Sequence, residues 1–434
     1  MRKLRLSRSD NIISSFGKLK GNTRVSVMCE PLWGIPFVLF NFYLSLYMKE
    51  NGVTSAQIGY LISLGFIAGT VFSLFSGVIT DRLGRKKTTL IFDFISWPVA
   101  VVIYLISNNF WMFALATVVN SVVRIVTVSW NLMVVEDADN EQRVSAFNLL
   151  SIINISTGII IPLAGILVNA YGILISERIF FVFAFISMSV MIILRNHFYT
   201  ETRVGRQIME EHRTNPVKNS IKTILPYKAA AVFVKKPAAM MIIGVYIFFN
   251  VYIPLGTMNS LYFAPYMTEV LQLGKSVISV LGGVYSAVML LIFVFVIPLI
   301  SKVNSIYPMV AGLAIQGVAL FLLTVIPAGR LWIAVLCITL YAVGFGIYRP
   351  FIDTLLAGVT EGNDRAGIYS IVNTITCIAT ALIGFVSGIM YIFNPRLIYI
   401  VSIALLAICI TLLLVYMWYG KSRAATMEMH AEAD

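Results

Sequence analysis

Long apolar runs alternate with short polar connectors along most of this 434-residue chain. A helix that crosses a bilayer needs about 20 consecutive apolar residues, and twelve runs of suitable length can be placed. They lie at residues 23–48, 55–80, 88–106, 110–135, 144–168, 174–194, 237–267, 277–301, 306–326, 331–356, 366–392 and 395–419. The pattern predicts an all-α integral membrane protein with twelve transmembrane helices.

The longest polar segments divide these runs into two sets of six. Residues 197–236 are polar and basic, and they separate a predicted N-terminal bundle from a predicted C-terminal bundle. The connector after the fourth run of each set is similar, with Asn-Glu-Gln-Arg ending at Arg143 and Gly-Asn-Asp-Arg ending at Arg365. The sequence therefore predicts a 6+6 pseudo-repeat. Its parts are a tail at 1–22, a bundle at 23–196, a linker at 197–236, a bundle at 237–419 and a tail at 420–434.

The charged residues determine the predicted topology. Only 12% of residues are charged and 59% are hydrophobic, which excludes a soluble fold. Lysine and arginine are concentrated in the N-terminal tail, in the connector after the second run, in the linker and after the last run. Because basic loops stay on the cytoplasmic side, both termini are expected to be cytoplasmic. The net charge of +12 is then attributed to anionic membrane lipids rather than nucleic acid, in a multi-pass protein of the plasma membrane.

The connector between the second and third runs has a distinctive spacing of glycine, acidic and basic residues. It reads Gly-Val-Ile-Thr-Asp-Arg-Leu-Gly-Arg-Lys-Lys and contains Gly77, Asp81, Arg82, Gly84, Arg85, Lys86 and Lys87. This segment, here called the signature loop, resembles the loop between the second and third helices of the major facilitator superfamily. The resemblance implies a secondary transporter that works by alternating access. It also implies that the first, fourth, seventh and tenth spans line the central cavity.

The same resemblance gives the signature loop a conformational role. Asp81 is expected to meet the start of the eleventh span near Ala366 when the cytoplasmic side is closed. Arg85 is expected to reach the end of the fourth span, with Glu136 or Asp137 as its partner. We expect these contacts to join the two halves of the protein and to break when the cytoplasmic side opens.

Four ionisable residues lie inside the spans assigned to the cavity: Glu30, Arg124, Arg349 and Asp353. An ionisable side chain in hydrocarbon is costly unless it is paired or hydrated, so each is a candidate functional residue. Glu30 and Asp353 are candidates for binding a coupling proton. In the alternative interpretation, Glu30 pairs with Arg124, and Arg349 pairs with Asp353 four residues later on the same helix face. The two arginines could instead bind an anionic substrate, because a guanidinium matches carboxylate or phosphate.

Amide and aromatic side chains accompany these charges in the spans. The candidates for the substrate cavity are Trp33, Asn41, Trp130, Asn131, Asn250, Asn259, Tyr262 and Tyr348. Such groups suit hydroxylated ligands, so we predict proton-coupled movement of a small polar organic solute, such as a sugar, glycoside or organic anion.

Two alternatives remain open. The first is a multidrug/proton antiporter, since Glu30 and Arg124 resemble an acid and an arginine of such proteins. Two features depart from the antiporter pattern. Val128 stands where the fourth helix of such proteins usually has glycine. Their fifth helix has an adjacent Gly-Pro pair, whereas here Gly158, Pro162 and Gly165 are separated. The second is a membrane sensor of the same fold that transports nothing.

Motifs for catalysis and for metal binding are missing from the sequence. It contains no phosphate-binding glycine loop, no His-Glu-x-x-His and no credible catalytic triad, so no enzyme activity is predicted. The four cysteines lie in predicted spans, and neither they nor the three histidines have metal-ligand spacing. We therefore expect no metal and no cofactor. The expected partners of a monomer are a small-molecule substrate, protons and lipids.

Overall fold

The computed structural model describes residues 16–214, 237–258, 260–300, 303–359 and 365–431. Each of the twelve predicted spans is largely helical in this part of the chain, although the seventh contains two helices, one ending at Gly256 and the next beginning at Phe263. Eleven of its helices are long and apolar enough to cross a membrane, and one of them, Asn140–Phe198, covers two predicted spans. Gly172 interrupts that helix with a φ of 75°, which is unfavourable for residues with a Cβ atom. The prediction of an all-α, twelve-span membrane protein is confirmed.

The helices of the first half follow one another with short connections. They are α1 Gly21–Glu50, α2 Ser55–Leu83, α3 Arg85–Phe94, α4 Ala100–Ile106, α5 Phe110–Ser121, α6 Val123–Val135, α7 Asn140–Thr157, α8 Ile161–Phe198 and α9 Arg203–Thr214. A π-helical turn at Ile95–Val99 joins α3 to α4 and contains Pro98, which lacks a backbone donor.

The second half has the same kind of helices. They are α10 Pro237–Gly256, α11 Phe263–Glu269, α12 Ile278–Leu291, α13 Ile297–Ile300, α14 Ile306–Val325, α15 Leu331–Val359, α16 Arg365–Phe393 and α17 Arg396–Ala431. A second π-helical turn, Ile292–Val296, joins α12 to α13. The predicted linker contains the end of α8 and all of α9, and its residues 215–236 lie outside the described residues.

Polar caps fix several helix starts between the apolar runs. Thr54 and Gln57 form a capping box at the start of α2, in which each side chain accepts a hydrogen bond from the other residue's backbone N–H. Asn109 caps α5 and Asp139 caps α7 through their side-chain oxygens. These caps satisfy backbone donors that the first turn of a helix leaves without partners.

By its contacts the chain forms two compact units. The first comprises Met1–Ile221 and Gly274–Leu290, and therefore includes most of α12. In it, α1 packs against α7 and α8, α2 packs against α5 and α6, and α3 packs against α6. The second comprises Lys222–Leu273 and Leu291–Asp434, where α10 packs against α16 and α17, and α14 packs against α15 and α17.

Candidate functional site

The signature loop forms a sharp turn between α2 and α3 at Gly84. The φ of Gly84 is 85°, and a Cβ atom there would lie 2.6 Å from a carboxylate oxygen of Glu201 and 2.7 Å from the sulfur of Met209. Both the backbone conformation and the lack of space require glycine at this position. Gly77, Arg82 and Lys87 are exposed, so the buried chemistry of this loop belongs to Arg85.

Arg85 is buried and binds two carboxylates of the first unit. Its guanidinium lies 3.1 Å from Asp81, four residues earlier, and 3.1 Å from Glu136 at the end of α6. The expected partner Glu136 is confirmed. The expectation that this contact joins the two halves is wrong, because both carboxylates belong to the same unit as Arg85. The expected contact of Asp81 with Ala366 falls on a residue whose side chain lies outside the described residues.

The segment after α8 completes this cluster, and the sequence analysis missed it. Glu201 accepts hydrogen bonds from the backbone N–H groups of Arg85 at 2.9 Å and Lys86 at 3.0 Å. The hydroxyl of Thr202 donates a hydrogen bond to Glu136. The backbone N–H of Arg203 donates to Asp137 at 3.3 Å. The signature loop is therefore held by the segment that leads into α9.

A second cluster of charged residues lies in the interior of the first unit. Arg195 on α8 lies 3.0 Å from Glu30 on α1 and 3.5 Å from Asp93 on α3. All three residues are buried. Two carboxylates share one guanidinium, so the cluster carries a net charge of −1 when both are ionised. The three residues tie together α1, α3 and α8.

Neighbouring polar and aromatic groups surround this cluster. The amide of Asn154 donates a hydrogen bond to Glu30 at 3.4 Å. The Arg195 guanidinium lies 5.7 Å from the centre of the Trp130 ring, a distance that suits a cation–π interaction. Trp33 stacks on Phe37 with ring centres 4.8 Å apart. The candidates Trp33 and Trp130 thus lie near the charges, and both are half-buried.

The two arginines predicted for the cavity, Arg124 and Arg349, are not part of the cluster around Arg195. The pairing of Glu30 with Arg124 is wrong, because the guanidinium bound to Glu30 is that of Arg195. Arg124 is exposed on α6, and its side chain lies against Gly69 of α2. Arg349 is half-buried on α15, and the side chain of its predicted partner Asp353 lies outside the described residues.

The candidate amides differ in what they contact. Asn131 donates to the carbonyl of Thr127, and Asn250 donates to the carbonyl of Tyr246, in each case one turn earlier in the same helix. Asn41 is half-buried on α1, and Asn259 lies outside the described residues. The hydrogen bonds of Asn131 and Asn250 are thus local to their helices.

The second unit has a polar cluster of its own. The hydroxyl of Tyr252 on α10 lies 2.9 Å from that of Tyr341 on α15 and 3.4 Å from the amide oxygen of Gln316 on α14. Tyr348 packs on Phe249 with ring centres 4.2 Å apart. These hydroxyl and amide groups are buried inside the unit, and their donors and acceptors suit a polar ligand.

The candidate Tyr262 lies elsewhere in the second unit. Its hydroxyl accepts a hydrogen bond from Ser387 at 3.2 Å, and its ring stacks on Tyr391 with ring centres 5.2 Å apart. The side chain of Tyr262 therefore contacts α16 through both its hydroxyl and its ring.

The sequence analysis did not identify Asp93 and Arg195 as members of the buried charged cluster, for one shared reason. Asp93 lies on the third span and Arg195 on the helix that contains the sixth, whereas only the first, fourth, seventh and tenth spans were assigned to the cavity. Arg195 also lies one residue beyond the predicted end of the sixth span. The sequence did contain a signal for both residues, because Asp93 is a carboxylate within an apolar run and Arg195 is a cation at the end of another. Among the described residues, no group of three His, Cys, Asp or Glu side chains could hold a metal ion.

A sequence model of one protein family matches most of the chain. The family is described as the Major Facilitator Superfamily, and the matches cover residues 33–261 and 240–428. No curated protein sequence matches the chain.

Solved structures with a similar fold cover nearly the whole chain. A variant of the nucleoside transporter NupG has 16% identity and a TM-score of 0.69, over 90% of this chain and 99% of that one. A bacterial homologue of the iron transporter ferroportin, in an inward-facing state, has 15% identity and a TM-score of 0.68, over 91% and 98%. A D-xylose-proton symporter has 14% identity and a TM-score of 0.67, over 94% and 97%. At these identities the similarity concerns the fold alone.

Proposed function

Because the chain belongs to the Major Facilitator Superfamily, we propose that this multi-pass membrane protein is a proton-coupled secondary transporter that works by alternating access. Its solute is a small polar organic molecule, such as a sugar, glycoside or organic anion. We place it in the plasma membrane as a monomer, with both termini in the cytoplasm. Family membership indicates a transporter with a small-molecule substrate rather than an enzyme.

The observation that carries the proposal of proton coupling is the buried cluster of Glu30, Asp93 and Arg195. With both carboxylates ionised the cluster has a net charge of −1, and binding of one proton makes it neutral. An uncompensated charge inside a membrane protein is costly, so binding or losing this proton changes the relative stability of arrangements of α1, α3 and α8. This is the coupling that a proton-driven transporter requires.

The polar cluster of the second unit supports a polar solute. Tyr252, Gln316 and Tyr341 present hydroxyl and amide groups inside a helical bundle, and such groups recognise hydroxylated ligands by hydrogen bonds. In the first unit, separately, the exposed guanidinium of Arg124 is a cationic donor that suits an organic anion. The names of two structural neighbours, a nucleoside transporter and a xylose-proton symporter, agree with this class of solute.

The proposal is tested with the full chain in liposomes that contain a pH-sensitive dye. Sugars, nucleosides and organic anions are each added outside, and solute-driven proton uptake is recorded. We expect one of these classes to drive proton uptake and to accumulate when a pH gradient is imposed. Glu30→Gln should abolish proton-driven accumulation, because glutamine cannot bind or release the coupling proton at this position.

Glu141→Gln is the matched control, since Glu141 is an exposed acid that pairs with Lys18. It should leave proton-driven accumulation unchanged. Accumulation by Glu30→Gln at the wild-type level would contradict the role of Glu30. Proton exchange driven by many unrelated lipophilic cations, and by no polar solute, would instead favour the multidrug antiporter. Solute binding without any flux would favour the sensor.

A further inference from the structure

One buried carboxyl of the first unit belongs to neither cluster described above. Glu177 lies on α8, five residues after the break at Gly172, and none of its surface is exposed. Neither of its carboxylate oxygens has a hydrogen-bond partner among the described residues. The hydroxyl of the preceding residue, Ser176, is also buried without a partner. A carboxylate in such surroundings is unstable as an anion, because nothing replaces its hydration.

Three tyrosines of neighbouring helices lie near this part of α8. Tyr43 is close enough to Glu177 to interact with it, and Tyr47 and Tyr104 pack on Phe181 one turn later, with ring centres 5.4 and 6.0 Å apart. Each of their hydroxyls has another partner. Tyr43 on α1 donates to the backbone carbonyl of Lys275 at 2.7 Å. Tyr47, also on α1, lies nearest the carbonyl of Leu105 at 3.3 Å. Tyr104 on α4 lies 3.4 Å from the hydroxyl of Thr117.

The nearby cations do not neutralise Glu177 either. Arg178 follows Glu177 on the same helix but is exposed. The ammonium group of Lys275 forms an ion pair with Glu50 at the end of α1. Neither cation therefore forms a contact with the Glu177 carboxyl that would stabilise its ionised form.

Glu177 is also far from the cluster around Arg195. The two residues are 18 positions apart on α8, which corresponds to about 27 Å along the helix axis. Glu30 and Asp93 both contact Arg195, so they lie at the other end of α8. A proton on Glu177 is thus independent of a proton on Glu30 or Asp93.

We propose that Glu177 carries a proton in this conformation and is a second proton-binding site, closed off by the contact of Tyr43 with Lys275. The protonated carboxyl is neutral, and this accounts for its burial without a partner. That Glu177 is protonated does not depend on transport. The role of Glu177 in proton coupling rests on the proposed function.

The residues around Lys275 explain how this site is closed. Lys275, Glu50 and Ser276 line a cavity of about 620 Å³ at the end of the first unit, together with residues around Gly172. Ser279, one turn later, packs so closely on Gly165 that a Cβ atom there would collide with the Ser279 hydroxyl. The Tyr43 hydroxyl donates to the backbone carbonyl of Lys275, and Tyr43 also lies close to Glu177.

Separation of Tyr43 from Lys275 would let water from this cavity reach Glu177. Water would then hydrate the carboxyl, its O–H bond would break, and the proton would pass to water. The remaining carboxylate would be stable only while it stays hydrated. The Tyr43–Lys275 contact can therefore close only when Glu177 carries a proton. Opening and closing of this contact are thus coupled to the proton concentration on the side of the membrane to which the cavity opens.

Infrared spectra of the purified full chain near neutral pH test whether Glu177 is protonated. The difference between wild type and Glu177→Gln should show the loss of one carbonyl band of a protonated, non-hydrogen-bonded carboxylic acid. Glu50→Gln is the matched control, since Glu50 is ion-paired with Lys275, and it should lose only carboxylate bands. Loss of carboxylate intensity in Glu177→Gln, with the acid region unchanged, would overturn the proposal.

Two further measurements test whether Glu177→Gln still folds normally and whether Tyr43 closes the site. Glutamine resembles the neutral acid in shape and charge, so Glu177→Gln should keep the wild-type melting temperature. A large fall in that temperature would indicate that an ionised Glu177 stabilises the fold and would contradict the proposal. Tyr43→Phe should make the acid band exchange faster in D₂O, because the hydroxyl that closes the site is removed. Unchanged exchange would contradict the closing role of Tyr43.

The coupling role is tested by solute-driven proton uptake in liposomes. Glu177→Gln should lose this uptake, and Glu177→Asp should restore part of it. Equal uptake by wild type and Glu177→Gln would overturn the coupling role while leaving the proposed function intact. If no solute drives proton uptake in wild type, the proposed function fails together with the coupling role. The infrared band still decides whether Glu177 is protonated.

Discussion

Glu201 caps the helix that begins at Arg85, 116 residues earlier in the chain. Its two carboxylate oxygens accept hydrogen bonds from the backbone N–H groups of Arg85 and Lys86, at 2.9 and 3.0 Å. The first N–H groups of a helix have no partner within the helix, and its N-terminus favours negative charge. A residue that follows the sixth span therefore supplies the hydrogen-bond acceptors for the first N–H groups of α3.

Glu201→Ala should lower the stability of the first unit. The substitution removes both acceptors from the start of α3, and loss of a helix cap typically costs about 1 kcal/mol. We expect a lower melting temperature of the purified protein and faster amide exchange at Arg85 and Lys86. Glu141→Ala is the control, because exposed ion pairs contribute little to stability. Equal melting temperatures for Glu201→Ala and wild type would contradict the cap.

Gly84→Ala should destabilise the turn between α2 and α3. Alanine at a φ of 85° is strained, and its Cβ atom would overlap with Glu201 and Met209. Strain of this kind costs about 1–3 kcal/mol. In Gly77→Ala, seven residues earlier in the signature loop, the Cβ atom would meet no described atom within 4 Å. Thermal unfolding should therefore distinguish the two variants, and a similar loss of stability in both would show that Gly84 has no special role.

Arg195→Ala should be strongly destabilising. It leaves Glu30 and Asp93 buried without their shared cation, and removal of one member of a buried ion pair typically costs about 3–5 kcal/mol. We expect little folded protein or a much lower melting temperature. Combining Arg195→Ala with Glu30→Gln and Asp93→Asn removes all three charges and should recover part of the loss. Arg178→Ala, which removes an exposed cation of the same helix, serves as the control.

The start of α7 should lose stability in acid because of Asp139. The hydrogen bond from the backbone N–H of Gln142 is the main cause that lowers the pKa of this carboxyl. A depressed pKa means that the ionised group stabilises the helix start above the unfolded-state pKa. This stabilisation is lost as the pH falls through the folded-state value. Amide exchange at Gln142 should thus accelerate in acid in wild type relative to Asp139→Asn, where a neutral cap remains. The same pH response in both proteins would exclude Asp139 as its source.

The candidate site could be predicted from the sequence only in part. Glu30 was predicted as a functional acid because it lies in an apolar run, and Arg85 was predicted to reach Glu136. One interpretation paired Glu30 with Arg124, whereas its partner in the structure, Arg195, is 165 residues away in sequence. Helical periodicity fixes the face on which a residue lies, but it does not fix which helix packs on that face or at what height.

The sequence by itself determined the twelve spans and the signature loop. The bilayer imposes these features locally, because each span must be about 20 apolar residues long and must satisfy its backbone hydrogen bonds within the helix. Only the tertiary structure decided that Arg195 lies between two carboxylates, that Glu201 caps α3 and that Glu177 is buried without a partner. These properties depend on the helix-to-helix packing of side chains that are distant in the chain, and hydropathy and spacing carry no information about that packing.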